Sequence, residues 1–177
     1  MLKLSIIMNS ENYCYKELTE KAIFVPKYFW ENFDSLSWQK YFAFEAAELP
    51  LELVLENEPI LQKINNVFKI DKLGILLVKK NTTYNWHKDA VRGVAINLLL
   101  STAHNSHCIF SRDSVTTVSE IVELKYSPDT FYIFNNQCSH MVVNLDFDRY
   151  LFSVEFQKPK QSLTFFNVKY WADINNI

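Results

Sequence analysis

Two short clusters hold most of the residues able to do metal or acid–base chemistry. One is Tyr84-Asn85-Trp86-His87-Lys88-Asp89, and the other runs from Ser139-His140 to Asp148-Arg149. His87 and Asp89 stand two residues apart, so on extended backbone the imidazole and the carboxylate point to one face. With the distant His140 they compose a 2-His-1-carboxylate set. Such a set fills three positions of an octahedron and leaves three open, which suits non-haem Fe(II) with a bidentate co-substrate and O2. Arg149 begins a strand-like run after the turn Asp146-Phe147-Asp148. A guanidinium placed there can grip a carboxylate through two parallel charge-assisted hydrogen bonds; the plainer alternative is a salt bridge to Asp146 or Asp148. Ser153 falls on the same strand face as Arg149 and Leu151 and offers a hydroxyl. Arg92 suits a ligand contact and a structural ion pair equally well. The chain has 4 His and only three Arg, so the order His87, His140, Arg149 owes little to abundance.

These side chains need strands to present them, and the sequence after residue 70 reads as β. Apolar runs cover Leu73 to Val78, Val91 to Leu100, Cys108 to Phe110, Thr130 to Phe134, Met141 to Leu145 and Tyr150 to Phe156. Val115 to Leu124 mixes β-branched and acidic residues. Turn clusters separate them at Asn81-Thr82-Thr83, Ser127-Pro128-Asp129 and Asn135-Asn136-Gln137. Short strands at close spacing indicate a sandwich or barrel. Before residue 70 the pattern leans helical. Pro26 opens a segment into Phe33, Trp38 to Ala47 carries apolar residues at helical spacing, and Pro59 opens Ile60 to Phe68 with a stripe of Ile60, Leu61, Ile64, Val67 and Phe68. Its aromatics (Phe29, Trp30, Phe33, Trp38, Tyr41, Phe42) are expected to pack on the β-block.

Bulk composition narrows the function. With 177 residues, 49% hydrophobic and 21% charged, the chain can bury a real core as a single domain over 1–177. Its expected parts are a mainly helical 1–70, a β core over 71–160 and a C-terminal extension over 161–177. Two glycines, Gly74 and Gly93, are too few for a Walker loop or a Rossmann fingerprint. The site must therefore be built from side chains. A net charge of −2 makes nucleic acid an unlikely partner. Three cysteines without CxxC spacing read as reduced thiols of a cytoplasmic protein. Cys138 is close enough in sequence to His140 to touch it. No run is long enough to cross a membrane, and Leu4 to Met8 is too short for a signal peptide. The heavy use of Asn, Lys, Ile, Phe and Tyr matches AT-biased genomes such as those of phages and marine bacteria.

His87-Lys88-Asp89-Ala90-Val91-Arg92-Gly93-Val94-Ala95-Ile96-Asn97 resembles the H-x-D-x-x-R-x-x-x-x-N opening of the Fe(II)/2-oxoglutarate-dependent dioxygenases. Phe131 to Asn136, then His140 to Asn144, then Arg149, resemble their closing segment. The wording is nearest their aspartyl/asparaginyl β-hydroxylase-like and small phage or bacterial branches. Some of those β-hydroxylase relatives lack the carboxylate ligand, whereas Asp89 is present here; the Arg-x-Ser pairing of other relatives is absent, with Leu151 two after Arg149.

The resemblance covers about residues 73–156. It implies a mostly β, cupin-like double-stranded β-helix (a jelly roll), on which the helices before residue 70 pack over one face. It also implies Fe(II) on His87, Asp89 and His140, with the 2-oxoglutarate C5 carboxylate on Arg149. The implied reaction hydroxylates a C–H bond of a small molecule or peptide, consumes O2 and releases succinate and CO2. Asn97, Asn144, Ser153, Tyr132 and Arg92 are candidate contacts to co-substrate or substrate, and Trp86, Tyr132 and Phe134 are candidate water-excluding walls. The ordinary alternatives are buried asparagines bonding local backbone and core aromatics. His104 and His107 are expected in a solvated loop. A second reading is a cupin-like protein that binds a metal or small ligand without oxygenase turnover.

Overall fold

The computed structural model describes residues 11–41, 43–101, 105–111 and 121–177. A helical turn α1 (Glu11–Cys14) leads into β1 (Tyr15–Lys21), α2 (Val25–Glu31), β2 (Gln39–Lys40), β3 (Glu45–Leu49), α3 (Leu51–Asn57) and α4 (Pro59–Phe68). Eight strands follow: β4 (Ile70–Val78), β5 (Thr82–His87), β6 (Val94–Leu99), β7 (Ser106–Ser111), β8 (Ile121–Leu124), β9 (Thr130–Asn135), β10 (Ser139–Asn144) and β11 (Arg149–Phe156). Helix α5 (Phe165–Ile174) comes last.

Two antiparallel sheets result, one ordered β1-β9-β6-β11-β4-β3-β2 and the other β5-β10-β7-β8. From β4 onward the chain shuttles between them: β4, β6, β9 and β11 lie in the larger sheet, and β5, β7, β8 and β10 in the smaller. Two facing sheets joined in this manner make a jelly roll. The remaining strands extend the larger sheet at its edges.

The continuous apolar runs follow from burial on both faces. In β9, Phe131 and Ile133 join one core cluster while Tyr132 and Phe134 join another. The first cluster lies between the larger sheet and the helices, where Phe29 of α2, Val54 of α3, Ile60, Leu61 and Ile64 of α4, and Val168 and Ala172 of α5 meet Ile96, Phe152 and Val154. The second fills the space between the sheets, where Phe110, Phe134, Val142 and Cys108 meet. Each fully buried large side chain contributes about 1.5–3 kcal/mol. Glu58 ties two helices together. Its carboxylate is fully buried and accepts from the backbone N–H groups of Ile23, Phe24 and Val25, which satisfies the free donors at the start of α2.

The region before residue 70 differs from expectation. The helix expected over Trp38 to Ala47 is a two-strand hairpin, β2 and β3. The edge of β4 offers β3 a ladder from Glu45↔Leu77 to Leu49↔Leu73, with Ala47 and Leu49 buried and Glu48 exposed. The region before residue 70 is therefore mixed, and α5 adds a helix from the other end of the chain to the same cover. In α4, Val67 is exposed rather than part of the buried stripe. Phe29, Trp30, Phe33 and Trp38 gather around Tyr150 on the outer side of β11. Phe42, His104 and 112–120 of the expected strand near Val115 lie outside the described residues.

Candidate metal centre

His87 ends β5 and His140 sits near the start of β10, and the two are directly paired across those antiparallel strands. Asp89 follows in the loop to β6. One ligand atom from each of the three lies within 4.8 Å of the others, and Asp89 Oδ1 is 3.8 Å from the Nε2 atoms of both histidines. Both tautomers are fixed by backbone. His87 Nδ1 is 2.7 Å from the Asn85 carbonyl and His140 Nδ1 is 3.0 Å from the Cys138 carbonyl. A carbonyl only accepts, so each Nδ1 carries a proton and Nε2 is the ring nitrogen turned towards Asp89 and available to a metal. Burial first, and then the charge of neighbouring His87, push the His140 imidazole down to about 4, so it is neutral at neutral pH.

A register shift shapes the surroundings. Between the pairs His140↔His87 and Val142↔Tyr84, β5 uses one residue more than β10. In a regular strand Tyr84 and His87 would face opposite sides; the bulge turns both inward. Their rings stack at 4.0 Å. Phe134 approaches His140 edge-on at 4.9 Å, with Phe110 at 5.9 Å. Trp86, next to His87 in the chain, is half-buried.

Asp89 is held from several sides. Arg92 Nε donates to its Oδ2 at 2.7 Å, and Asn136 Nδ2 donates to the same oxygen at 2.8 Å. The Asp89 backbone N–H donates to the Asn136 carbonyl, and Gln137 Nε2 donates to the carbonyls of Asp89 and Arg92. Asn136 and Gln137 were legible only as turn residues. Their role depends on the tight turn from β9 to β10, closed by Cys138 N–H on Asn135 O, lying against the β5–β6 loop.

Arg149 begins β11 and is 3% exposed. Neither neighbouring acid neutralises it. Asp148 accepts from the Lys80 backbone and faces Lys79, and Asp146 accepts from Asn105. Among the described residues its partners are Tyr126 Oη, to which Nη2 donates at 3.4 Å, and the face of the same ring at 5.6 Å. Tyr126 in turn hydrogen-bonds Cys108, and burial pushes both groups up, the thiol to about 11. A buried guanidinium without a carboxylate is costly and is a ready seat for an anion.

The remaining candidates divide. Asn97 lies inside the jelly roll, paired with Ser153 on one side and Tyr132 on the other, and its buried Oδ1 has no partner among the described residues. Ser153 Oγ accepts from Arg92 Nη1 at 3.1 Å. The Tyr132 hydroxyl is committed to the β8–β9 connection, where it accepts from the Ser127 N–H at 2.9 Å. Asn144 is committed as well. Its amide donates to the carbonyls of Val78, Lys79 and Phe147, so it clamps two turns at the opposite end of β10. His107 pairs with Glu123 on neighbouring strands. Cys138 Sγ lies against Cys14 Sγ at 3.2 Å and donates to the Ser111 carbonyl. Among the described residues no helix is long and apolar enough to cross a membrane.

No protein-family model and no curated protein matches the chain. Solved structures do. An oxidoreductase of the 2OG-Fe(II) oxygenase family from Burkholderia pseudomallei is 11% identical, with TM-score 0.60 over 82% of this chain and 84% of that one. HygX from Streptomyces hygroscopicus, with nickel, 2-oxoglutarate and hygromycin B bound, is 9% identical, with TM-score 0.58 over 79% and 81%. A prolyl hydroxylase from Trichoplax adhaerens, in complex with a hypoxia inducible factor peptide fragment, is 10% identical, with TM-score 0.59 over 80% and 82%. The chain thus has the fold of 2-oxoglutarate/Fe(II) oxygenase structures, with a His-Asp-His cluster inside its jelly roll.

Proposed function

We propose that the chain is an Fe(II)- and 2-oxoglutarate-dependent dioxygenase that hydroxylates a C–H bond of an amino-acid, peptide or other small-molecule substrate. One observation carries this reading: the jelly roll that gathers His87, Asp89 and His140 also buries Arg149, with no acid beside it among the described residues. A structural arginine would have its counter-charge built in. A co-substrate that brings its own carboxylate leaves the guanidinium waiting.

His87 Nε2, His140 Nε2 and Asp89 Oδ1 would hold the iron, and three donor atoms suit Fe(II) with open positions. Iron bound there supplies the activation of O2, coupled to decarboxylation of 2-oxoglutarate to succinate and CO2. The chain's own residues bind and orient. Arg149, steadied by Tyr126, takes the carboxylate of 2-oxoglutarate remote from the metal. Asn97 Oδ1 and Ser153 offer polar contacts along the wall between. Phe134, Phe110, Tyr84 and Trp86 exclude water around the histidines. The thiol form of the buried Cys14, Cys108 and Cys138 accords with a reducing cytoplasm.

Anaerobic addition of Fe(II) and then 2-oxoglutarate should give the weak visible charge-transfer band of the chelate. Its absence in the wild-type chain counts against the oxygenase. A succinate-release screen over amino acids, peptides and nucleosides, with His87→Ala as blank, then identifies the substrate. Metal uptake without succinate release from any of them favours a metal-binding module.

A further inference from the structure

Asp89 has two carboxylate oxygens, and they have separate surroundings. Each has two lone-pair sites. On Oδ2 both are taken, by Arg92 Nε at 2.7 Å and Asn136 Nδ2 at 2.8 Å. Oδ1 faces the two imidazoles, 3.8 Å from each Nε2. We propose that Arg92 and Asn136 are positioning residues that confine Asp89 to one-oxygen ligation and so keep a third metal position open. This rests on the metal centre described above.

The consequence is in the coordination number. Two imidazoles and one carboxylate oxygen leave three of six positions, enough for a chelating co-substrate and one further ligand. A carboxylate that swings to chelate through both oxygens leaves two. The swing requires Oδ2 to give up two charge-assisted hydrogen bonds at good length. The two donors come from different elements: Arg92 lies in the β5–β6 loop and Asn136 in the β9–β10 turn. Loop and turn are locked by the Asp89 N–H on Asn136 O and by Gln137 on the Asp89 and Arg92 carbonyls. Arg92 is itself fixed at its far end by Ser153. The restraint is thus part of the scaffold and exists before metal arrives. Outer-shell donors of this kind fix the orientation of metal ligands, and their loss typically weakens metal binding about 10–100-fold.

The experiment loads the full-length chain with Co(II) alone. Affinity is read by calorimetry and coordination by the d–d absorption spectrum. The variants are Asn136→Ala, Arg92→Lys and the double Asn136→Ala/Arg92→Lys, each checked for folding by the thermal midpoint of the metal-free protein. Single variants should bind Co(II) about 10–100-fold more weakly. The double variant should change the spectrum towards a higher protein-donor count, and its Co(II) form should lose affinity for 2-oxoglutarate. Folded variants with wild-type spectrum and Co(II) affinity would overturn the proposal. So would a loss of affinity with no spectral change in the double variant, which would assign both residues to loop stability alone. Failure of the wild-type chain to bind Co(II) would instead overturn the metal centre itself.

Discussion

Arg149 Nη2 lies 3.4 Å from Tyr126 Oη, and the guanidinium carbon stands 5.6 Å from the centre of the same ring. One phenol is thus both hydrogen-bond acceptor and π-face for a buried cation. Nothing acidic among the described residues shares the site.

From this follows an unusual pair of outcomes for Arg149→Met. Affinity for 2-oxoglutarate should fall about 30–100-fold, the value of a charge-assisted carboxylate contact of about 2–3 kcal/mol. The ligand-free protein should melt at the same temperature or higher, because apolar volume replaces an unpaired buried charge. Thermal melts with and without 2-oxoglutarate read both quantities. A marked drop in the ligand-free midpoint, with the ligand-induced rise intact, would mean that Arg149 serves the fold.

His140 sets a pH dependence. In the unfolded chain a histidine titrates near 6.5; in the folded, metal-free chain burial and His87 bring His140 down to about 4. Between those values the unfolded state binds a proton that the folded state does not, so stability rises with pH across that window. The contribution is present above about 6.5 and is lost as pH falls towards 4. The urea midpoint of the metal-free protein should therefore be lower at pH 5 than at pH 7, and His140→Asn should flatten the slope. An unchanged slope in that variant would assign the acid sensitivity to other groups.

The His-Asp-His cluster and the buried arginine were legible in the sequence because the information is local: two residues of spacing in His87-Lys88-Asp89, and a rare arginine after a turn. What holds them was not. Asn136 reaches Asp89 only because the sheets bring the β9–β10 turn onto the β5–β6 loop, and Tyr126 reaches Arg149 across the space between strands. The same limit explains the elements misread. Strand β1 buries only Leu18 in a polar stretch, so it has no alternation to read; its pairing with β9 makes it a strand. Segment 38–47 has helical spacing, yet the open edge of β4 recruits its end as β3. Helix α5 starts at Thr164, whose capping partner is Asn167 rather than the acid or glutamine of the usual signal.

Asn144 separates its two readings, ligand contact and clamp on local backbone. Three backbone carbonyls, those of Val78, Lys79 and Phe147, depend on its amide. Asn144→Ala should cost about 2–4 kcal/mol of stability in chemical denaturation, since it strips buried hydrogen bonds from two turns at once. Below its melting temperature the variant should bind 2-oxoglutarate as the wild type does. A selective loss of co-substrate affinity in a stable Asn144→Ala protein would return this residue to the ligand site.

Gly93 links the loop of Asp89 and Arg92 to the C-terminal segment. A Cβ there would stand 2.3 Å from the Leu163 carbonyl oxygen and 3.1 Å from Lys160 Cα, both backbone atoms. Its φ is not positive, so the need is for space and not for left-handed backbone. The segment is seated on the loop by the Lys160 N–H on the Val91 carbonyl at 3.2 Å. In Gly93→Ala one side must move. The loop is pinned to the β9–β10 turn by Gln137 and Asn136, whereas 158–163 has no such clamp among the hydrogen bonds that join it to the loop. The C-terminal segment should therefore yield, at a cost of about 1–3 kcal/mol typical of overpacking. The melting temperature should fall while Co(II) affinity stays within about threefold, as expected of sites that do not share a partner. An unchanged melting temperature would contradict the close approach. A collapse of Co(II) affinity would show that the loop moves first, carrying Asp89 and Arg92 with it.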